Sequence, residues 1–362
     1  MKAIHDLMAQ AVYEGVFPGS VLLVAKQEQV VFLEAFGHAR FRPKRAMTID
    51  TVFDLASLTK PLATTLALMI LVQQGRLSLD QTLGTVAPEF LGTHKQDITI
   101  GELLSHTSGL PNYRPYYETL TKVPFPKREQ VLQNLLLGEE LISEPGRACL
   151  YSDIGFMILK WVVEVVAKKT LDRFVEEHVY GPLGLKSLFF VPLREGPNRD
   201  DHACAATEAC PWRGRILEGE VHDENAHALG GVAGHAGLFG TAGDVSTLLL
   251  ELLKTYLGKP STGLFHHPVV RTFFQRHSHL GSYALGFDTP SRPDSSSGRY
   301  SSDQSVGHLG FTGTSFWMDL EKAVIVVLLT NRIHPTRKNE RITEFRPLLH
   351  DTIMDALGWR DL

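Results

Sequence analysis

The 362-residue chain is predicted to be an α/β (α+β) protein, an antiparallel sheet flanked by helices and carrying a large helical insertion. Two observations lead there. β-rich runs stand near both ends of the sequence while the middle shows helix-period apolar positions. The end strands would each make only a marginal small sheet unless they paired with one another. With 43% hydrophobic and 21% charged residues, the chain can bury a large core as two domains or as one domain with a big insertion.

Residues 3–15 read as an amphipathic helix, followed by two β-rich runs, Gly19–Lys26 and Val30–His38, joined across Gln27-Glu28-Gln29 like a hairpin. From Pro61 to about Leu253 the pattern is mostly helical. Leu62, Leu66, Met69 and Ile70 share one face, and Phe156–Ala167 is a second periodic stretch, with turn-rich loops such as Pro111–Pro126 between. Strands return at Tyr283–Phe287, Ser315–Asp319 and the β-branched run Ala323–Thr330, before a last helix from about Thr343 to Leu357. The expected division is an α/β domain built from residues 1–60 and 261–362, with 61–260 as the helical part. Ser291–Ser302 reads as an exposed, mobile loop, and no internal repeat is visible.

Formal charge is −4, from 36 Lys and Arg against 40 Asp and Glu, so the basic excess that binding many phosphates requires is missing and no nucleic-acid partner is expected. The first residues lack the charged start, apolar stretch and small-residue site of a secretory signal. The longest apolar run, Leu66–Val72, is far short of the roughly 20 residues of a membrane span. Three cysteines, Cys149, Cys204 and Cys210, leave an odd one, which fits reduced thiols and a cytoplasmic protein. Cys204 and Cys210 lie near His202 and His222, but their spacing is not a usual zinc pattern, and no metal is expected.

Ser57-Leu-Thr-Lys60 stands just before an apolar helix that opens with Pro61, a residue tolerated in a first turn because those N–H groups lack helical partners. Residues three apart share a helical face, so the Lys60 amine can lie beside the Ser57 hydroxyl. A serine is a poor nucleophile until a base takes its proton, and a suitably placed lysine can be that base. The motif is short, and its ordinary reading is a helix N-cap followed by a solvated lysine.

Three further segments occur in order: Leu103-Leu-Ser-His-Thr-Ser-Gly-Leu110, Glu144-Pro-Gly146 running to Tyr151-Ser-Asp153, and His308-Leu-Gly310-Phe311-Thr-Gly-Thr-Ser315. With Ser57–Lys60 they resemble the ordered signatures of the serine β-lactamase (class C-like), D,D-peptidase and esterase superfamily over nearly the whole chain. The resemblance implies a β-lactamase/transpeptidase-like fold, with Ser57 as nucleophile and Lys60 and Tyr151 moving protons.

Two positions depart from that pattern. Asp153 stands where class C relatives have asparagine, and an ionised carboxylate near Lys60 favours the ammonium form, which shifts weight to Tyr151 as a phenol of depressed pKa. His308 stands where relatives that hold β-lactam carboxylates have lysine, and a neutral imidazole holds an anion less firmly. A second register would place Phe311 in that slot.

By analogy, the backbone N–H groups of Ser57 and Phe311 form the oxyanion hole, with Gly310 kept bare so that substrate can approach. His106 is implied to be structural, although a Ser-His-Asp triad is recognised by geometry rather than spacing.

The glycine-rich stretch Gly219–Gly240 resembles a pocket loop in a subgroup linked to cytoplasmic muropeptide recycling, which nominates His222, Asp223 and His235 as substrate contacts; a hydrogen-bonded structural loop is the alternative. The expected activity is therefore hydrolysis of an amide or ester through an acyl-enzyme, without a cofactor. A cell-wall peptide amide leads, with a small-ester esterase or a true β-lactamase as alternatives, and a catalytically silent binding protein of the same fold as a different class. The expected partner is a small molecule or peptide, with no membrane.

Overall fold

The structure, a computed structural model, describes residues 1–193 and 204–359. His202 lies outside them. Among the described residues eleven strands follow one another: β1 Gly19–Lys26, β2 Gln29–Arg40, β3 Arg45–Ala46, β4 Phe53–Asp54, β5 Leu188–Phe190, β6 Ala209–Cys210, β7 Arg215–Ile216, β8 Leu238–Gly240, β9 Val306–Leu309, β10 Ser315–Asp319 and β11 Val324–Thr330. Six form one antiparallel sheet in the order β3-β2-β1-β11-β10-β9. The two ends of the chain thus pair along β1 and β11, with Ser20 opposite Thr330 and Lys26 opposite Val324.

The β1–β2 turn needs two left-handed residues, and Gln27 and Glu28 supply them at φ 48° and 71°. Both central strands are apolar on both faces because helices cover both. Val21, Leu23, Ile325, Val327 and Leu329 face the main core. Leu22, Val24, Val326 and Leu328 face a second cluster under the terminal helices Lys2–Tyr13 and Ile342–Ala356. At about 25 cal/mol per Å² of apolar surface, this double burial makes β1 and β11 the least replaceable strands.

Between β4 and β9 the chain is largely helical. Helix Asp153–Ala167 starts where the Ser152 hydroxyl accepts from the Gly155 N–H at 3.1 Å, and stops at Lys168, which is left-handed at φ 55°. The segment after Ser57 is a π-helix over Lys60–Thr65 that continues as α-helix over Leu66–Gln73. Leu62, Leu66, Met69 and Ile70 are all buried, but so are the residues around them, so this is a core helix rather than an amphipathic one. Ala56–Gln73 is apolar enough to cross a membrane by length and composition, with a mean hydropathy of 1.3, yet 83% of it is buried in the protein. β4, β8 and β5 form a small second sheet beside Ser57.

Two expectations fail. Tyr283–Phe287 is not a strand: the Ala284 N–H donates to the Phe287 carbonyl at 2.9 Å, closing a tight turn. Gly286 makes that turn at φ 81°, pressed on Thr65 so closely that a Cβ would lie 2.0 Å from the threonine oxygen. Ser291–Ser302 is irregular but not simply exposed. Ser295 and Ser297 are buried and hydroxyl-bonded to each other at 2.8 Å, and Ser302 donates its N–H and hydroxyl to Asp319 at the end of β10.

Candidate active site

Ser57 is presented by a strained turn. Ala56, immediately before it, is left-handed at φ 48°, and its N–H is held by the buried Asp54 carboxylate at 2.9 Å. A non-glycine residue in that region is costly and persists where the surroundings enforce it. Asp54 accepts a second bond, from the His222 N–H at 2.6 Å, and burial raises its pKa against these two donors.

The Lys60 amine is fully buried and donates to three oxygens: Ser57 Oγ at 3.2 Å, Asp153 Oδ1 at 2.6 Å and the His235 carbonyl at 3.3 Å. It also sits over the Tyr151 ring, 4.6 Å from the centroid. Burial pulls the Lys60 pKa down, but Asp153 first and then Tyr151 outweigh it, so the group is held as ammonium. Tyr151 interacts with both Lys60 and Ser57. Its pKa is raised, not depressed as the sequence suggested. Desolvation among Lys60, His106, Tyr283 and His308 exceeds the help from the ammonium, and the Asp153 charge adds to the rise. The resting pair is therefore ammonium and neutral phenol.

His308 lies on β9, opposite Phe316 of β10, with Nδ1 2.9 Å from the Leu309 carbonyl. Burial, then the neighbouring ammonium, push its pKa down to about 3, so the ring is neutral. It lines the cleft within ring contact of Tyr151, whereas Phe311, also on the cleft, lies beyond the strand with 48% of its surface exposed. This favours the His308 register of the third motif. Gly310 is required for a different reason from the one expected. A Cβ there would meet the protein itself, 2.0 Å from Thr314 Oγ1 and 2.8 Å from the Leu55 carbonyl. Thr312 and Thr314 donate to the carbonyls of Asp54 and Leu55 at 2.8 and 3.0 Å, which locks the 310–314 turn to the residues that present Ser57.

His222, Asp223 and His235 all line the cleft, but their polar atoms are largely engaged with protein. Asp223 caps helix Glu224–Ala228 through the Ala226 N–H and accepts from His235 Nε2 at 3.0 Å, and with these partners its pKa stays well below the usual carboxylate range despite burial. His222 Nε2 meets Glu208 at 3.0 Å, and its ring stacks on Phe311 at 5.6 Å. His106, left-handed at φ 58°, accepts the Ser152 N–H on Nδ1 at 3.0 Å and is held neutral by burial; it braces the Tyr151 loop. Among the described residues no three His, Cys, Asp or Glu side chains converge as a metal site would require.

The cleft has a volume of about 840 Å³ and includes residues that sequence reasoning missed, among them Tyr113, Asp288, Arg332, Arg337 and Arg346. No local spacing marks them, because separate loops and the last helix bring them to the site.

The fold and the Ser57–Lys60–Tyr151 cluster define a serine hydrolase. The family model described as Beta-lactamase matches residues 3–349, and the chain belongs to that family. It is 32% identical over 364 residues to a Bacillus subtilis (strain 168) protein named N-acetylmuramyl-L-alanine amidase, covering 92% of this chain and 81% of the relative. It is 31% identical over 345 residues to an Escherichia coli (strain K12) protein provisionally named a D-alanyl-D-alanine carboxypeptidase, covering 88% and 79%. Among solved structures, EstCE1, a hydrolase with promiscuous acyltransferase activity, aligns with TM-score 0.73 and 25% identity over 96% of this chain and 98% of its own. The octameric penicillin-binding protein homologue of Pyrococcus abyssi shares the fold at TM-score 0.74 and 19% identity, over 99% of this chain and 77% of its own.

Proposed function

We propose that the protein hydrolyses an amide of a cell-wall peptide through an acyl-enzyme on Ser57. The observation that carries this is the buried Lys60 amine, which touches Ser57 Oγ and Asp153 at once. In the resting cluster Lys60 is charged and Tyr151 neutral, and the proposed proton acceptor is the Asp153 carboxylate that Lys60 touches at 2.6 Å. As Ser57 Oγ bonds to the substrate carbonyl carbon, its proton passes to Lys60 while Lys60 releases one to Asp153. Tyr151 gives its phenol proton to the departing nitrogen and regains one from Lys60, to which Asp153 returns its proton. Water then repeats the cycle on the acyl-enzyme and releases the acid.

The backbone N–H groups of Ser57 and Phe311 serve as the oxyanion hole, each worth ~3 kcal/mol in such sites. The amidase and carboxypeptidase names of the relatives support a cell-wall peptide substrate. A neutral His308 supports an activity other than dedicated β-lactam hydrolysis. The likeness to EstCE1, a hydrolase with promiscuous acyltransferase activity, leaves room for acyl substrates other than peptides, and small esters are the second class proposed. Cys149, Cys204 and Cys210 are in no disulfide, which fits a reducing compartment.

Intact-mass spectrometry with a fluorophosphonate tests the nucleophile. One adduct is expected, absent in Ser57→Ala, and an adduct on another serine overturns the assignment. Turnover of muropeptides beside p-nitrophenyl acetate and nitrocefin ranks the substrate classes.

A further inference from the structure

We propose that Asp288 and Tyr283, paired along the free edge of β9, form a subsite that receives a positively charged amino group carried by the substrate. The proposal rests on the hydrolase reading of Ser57 and narrows its substrate class to amides or esters that bear a free ammonium.

β9 is the last strand of the six-stranded sheet. Its free side is met at Gly307, one residue before His308, by Asp288, and the two exchange backbone hydrogen bonds of 2.8 and 2.9 Å. Asp288 in turn faces Tyr283 across an antiparallel bridge, and residues opposite one another in such a bridge present their side chains to the same side. Both line the cleft that holds Ser57. The Tyr283 ring is 5.9 Å from that of Tyr151, so the pair borders the group of side chains that would carry out acyl transfer.

Only one oxygen of the Asp288 carboxylate has a structural task. Oδ1 accepts the Ser282 hydroxyl at 2.6 Å and the Thr289 N–H at 2.9 Å, which an amide oxygen would do as well. Among the described residues no donor reaches Oδ2 and no hydrogen bond uses the Tyr283 hydroxyl, and neither atom is sealed off from the cleft. Burial pushes the Asp288 pKa up to about 6 against Ser282, Thr289 and Arg276, so at neutral pH the group is still a carboxylate. Arg276, the cation it feels, spends Nε and Nη2 on the Thr289 hydroxyl and the Pro290 carbonyl. A half-buried charge favours a partner in contact. The other acids of the cleft are matched or solvated: Asp153 pairs with Lys60, Asp223 with His235 and Glu224 with Arg337, while Glu340 is exposed. The negative charge left for a ligand is therefore that of Asp288. Burial keeps Tyr283 a neutral phenol, whose oxygen can accept a hydrogen bond and whose ring face attracts a cation. An ammonium, with three N–H donors and a full charge, matches both.

Matched substrates test this on the whole protein. p-Nitrophenyl 6-aminohexanoate and p-nitrophenyl 6-hydroxyhexanoate differ by one positive charge on the acyl side. Meta-(aminomethyl)phenyl acetate and meta-(hydroxymethyl)phenyl acetate differ in the same way on the leaving side. With each kcat/KM divided by the uncatalysed rate at neutral pH, the wild type is expected to prefer the ammonium member of at least one pair by about tenfold or more, the scale of a hydrogen bond to a charged group. Asp288→Asn should shrink that ratio towards one, whatever it does to overall rate, because the amide keeps the Oδ1 contacts and loses the charge. Tyr283→Phe, which keeps the ring and removes one acceptor, should shrink it less. Parity within about twofold in both pairs for the wild type, a measurement independent of any variant's folding, overturns the subsite. So does a preference that Asp288→Asn leaves intact. Failure to hydrolyse the hydroxyl esters, or hydrolysis that persists in Ser57→Ala, would instead strike the hydrolase reading.

Discussion

Lys60 and Asp153 meet at 2.6 Å with the lysine side chain wholly buried and the aspartate one-fifth exposed, so the charge next to the candidate nucleophile is neutralised inside the protein. This pairing sets the resting protonation of the site, because without it burial alone would drive Lys60 towards the free amine.

Asp153→Asn is therefore expected to lower the Lys60 pKa. The raising influence of Asp153 goes, and desolvation, which lowers it, stays. A pH–rate profile for ester hydrolysis should then gain an acid limb set by deprotonation of Lys60, with activity rising with pH through it. A profile superimposable on the wild type would remove Asp153 from the proton path.

Tyr151→Phe is expected to separate substrates by leaving group. A neutral phenol, as the raised pKa makes Tyr151, is suited to protonate a departing amine. Loss of a general acid usually costs about 10²-fold or more, so amide turnover should fall by that much. p-Nitrophenyl acetate, whose leaving group departs as an anion, should lose far less. Equal losses on both, measured as kcat with an unchanged melting temperature, would assign Tyr151 to the Ser57 proton instead.

Gly310→Ala should damage stability and activity together. The new methyl would overlap Thr314 Oγ1 and the Leu55 carbonyl, and such overpacking costs about 1–3 kcal/mol. Because the displaced turn carries the Phe311 N–H, fluorophosphonate labelling should also slow. Calorimetry and labelling rates on one preparation check both, and unchanged values would mean that the turn yields freely.

Acid should destabilise the fold, in part through two buried histidines on which the shift is large. His308 and His350 are kept neutral by desolvation down to pH about 3, while an unfolded chain protonates them near 6.5. Above pH 6.5 neither state binds these protons and the groups contribute nothing to the pH dependence. Below it the unfolded state takes up protons that the folded state refuses, so stability falls by about 1.4 kcal/mol per pH unit for each group. Melting temperature measured from pH 7 to 4 should drop accordingly, and His350→Gln should make the slope shallower by one proton.

What could be read from the sequence was what local spacing controls. Ser57 and Lys60 are three residues apart, so any helical backbone brings them together, and the β-branched run before Thr330 needs a partner strand on each side, which the first hairpin and Ser315–Asp319 supply. The π-helical geometry of Lys60–Thr65 was not legible, since no residue spacing distinguishes a π turn from an α turn. Nor was the sign of the Tyr151 shift, because it depends on how His106, Tyr283 and His308 crowd the ring. Asp54 lies three residues before Ser57, yet its role needs His222, far along the chain, to donate to it. The glycines of 219–240 did announce a tightly packed segment: a Cβ on Gly234 would lie 2.1 Å from the Phe156 carbonyl.

The threonine bonds from the 310–314 turn to Asp54 and Leu55 join residues 258 and 259 positions apart. During synthesis, the ribosome has therefore long since released the Ser57 segment before the turn that completes its surroundings exists. β1 likewise waits for β11 before it becomes an interior strand. A nascent or truncated chain can carry the serine, the lysine and the tyrosine and still lack the clamp that strains Ala56 and aims Ser57. On the proposed mechanism, the surroundings of Ser57 are complete only once the last strands are made.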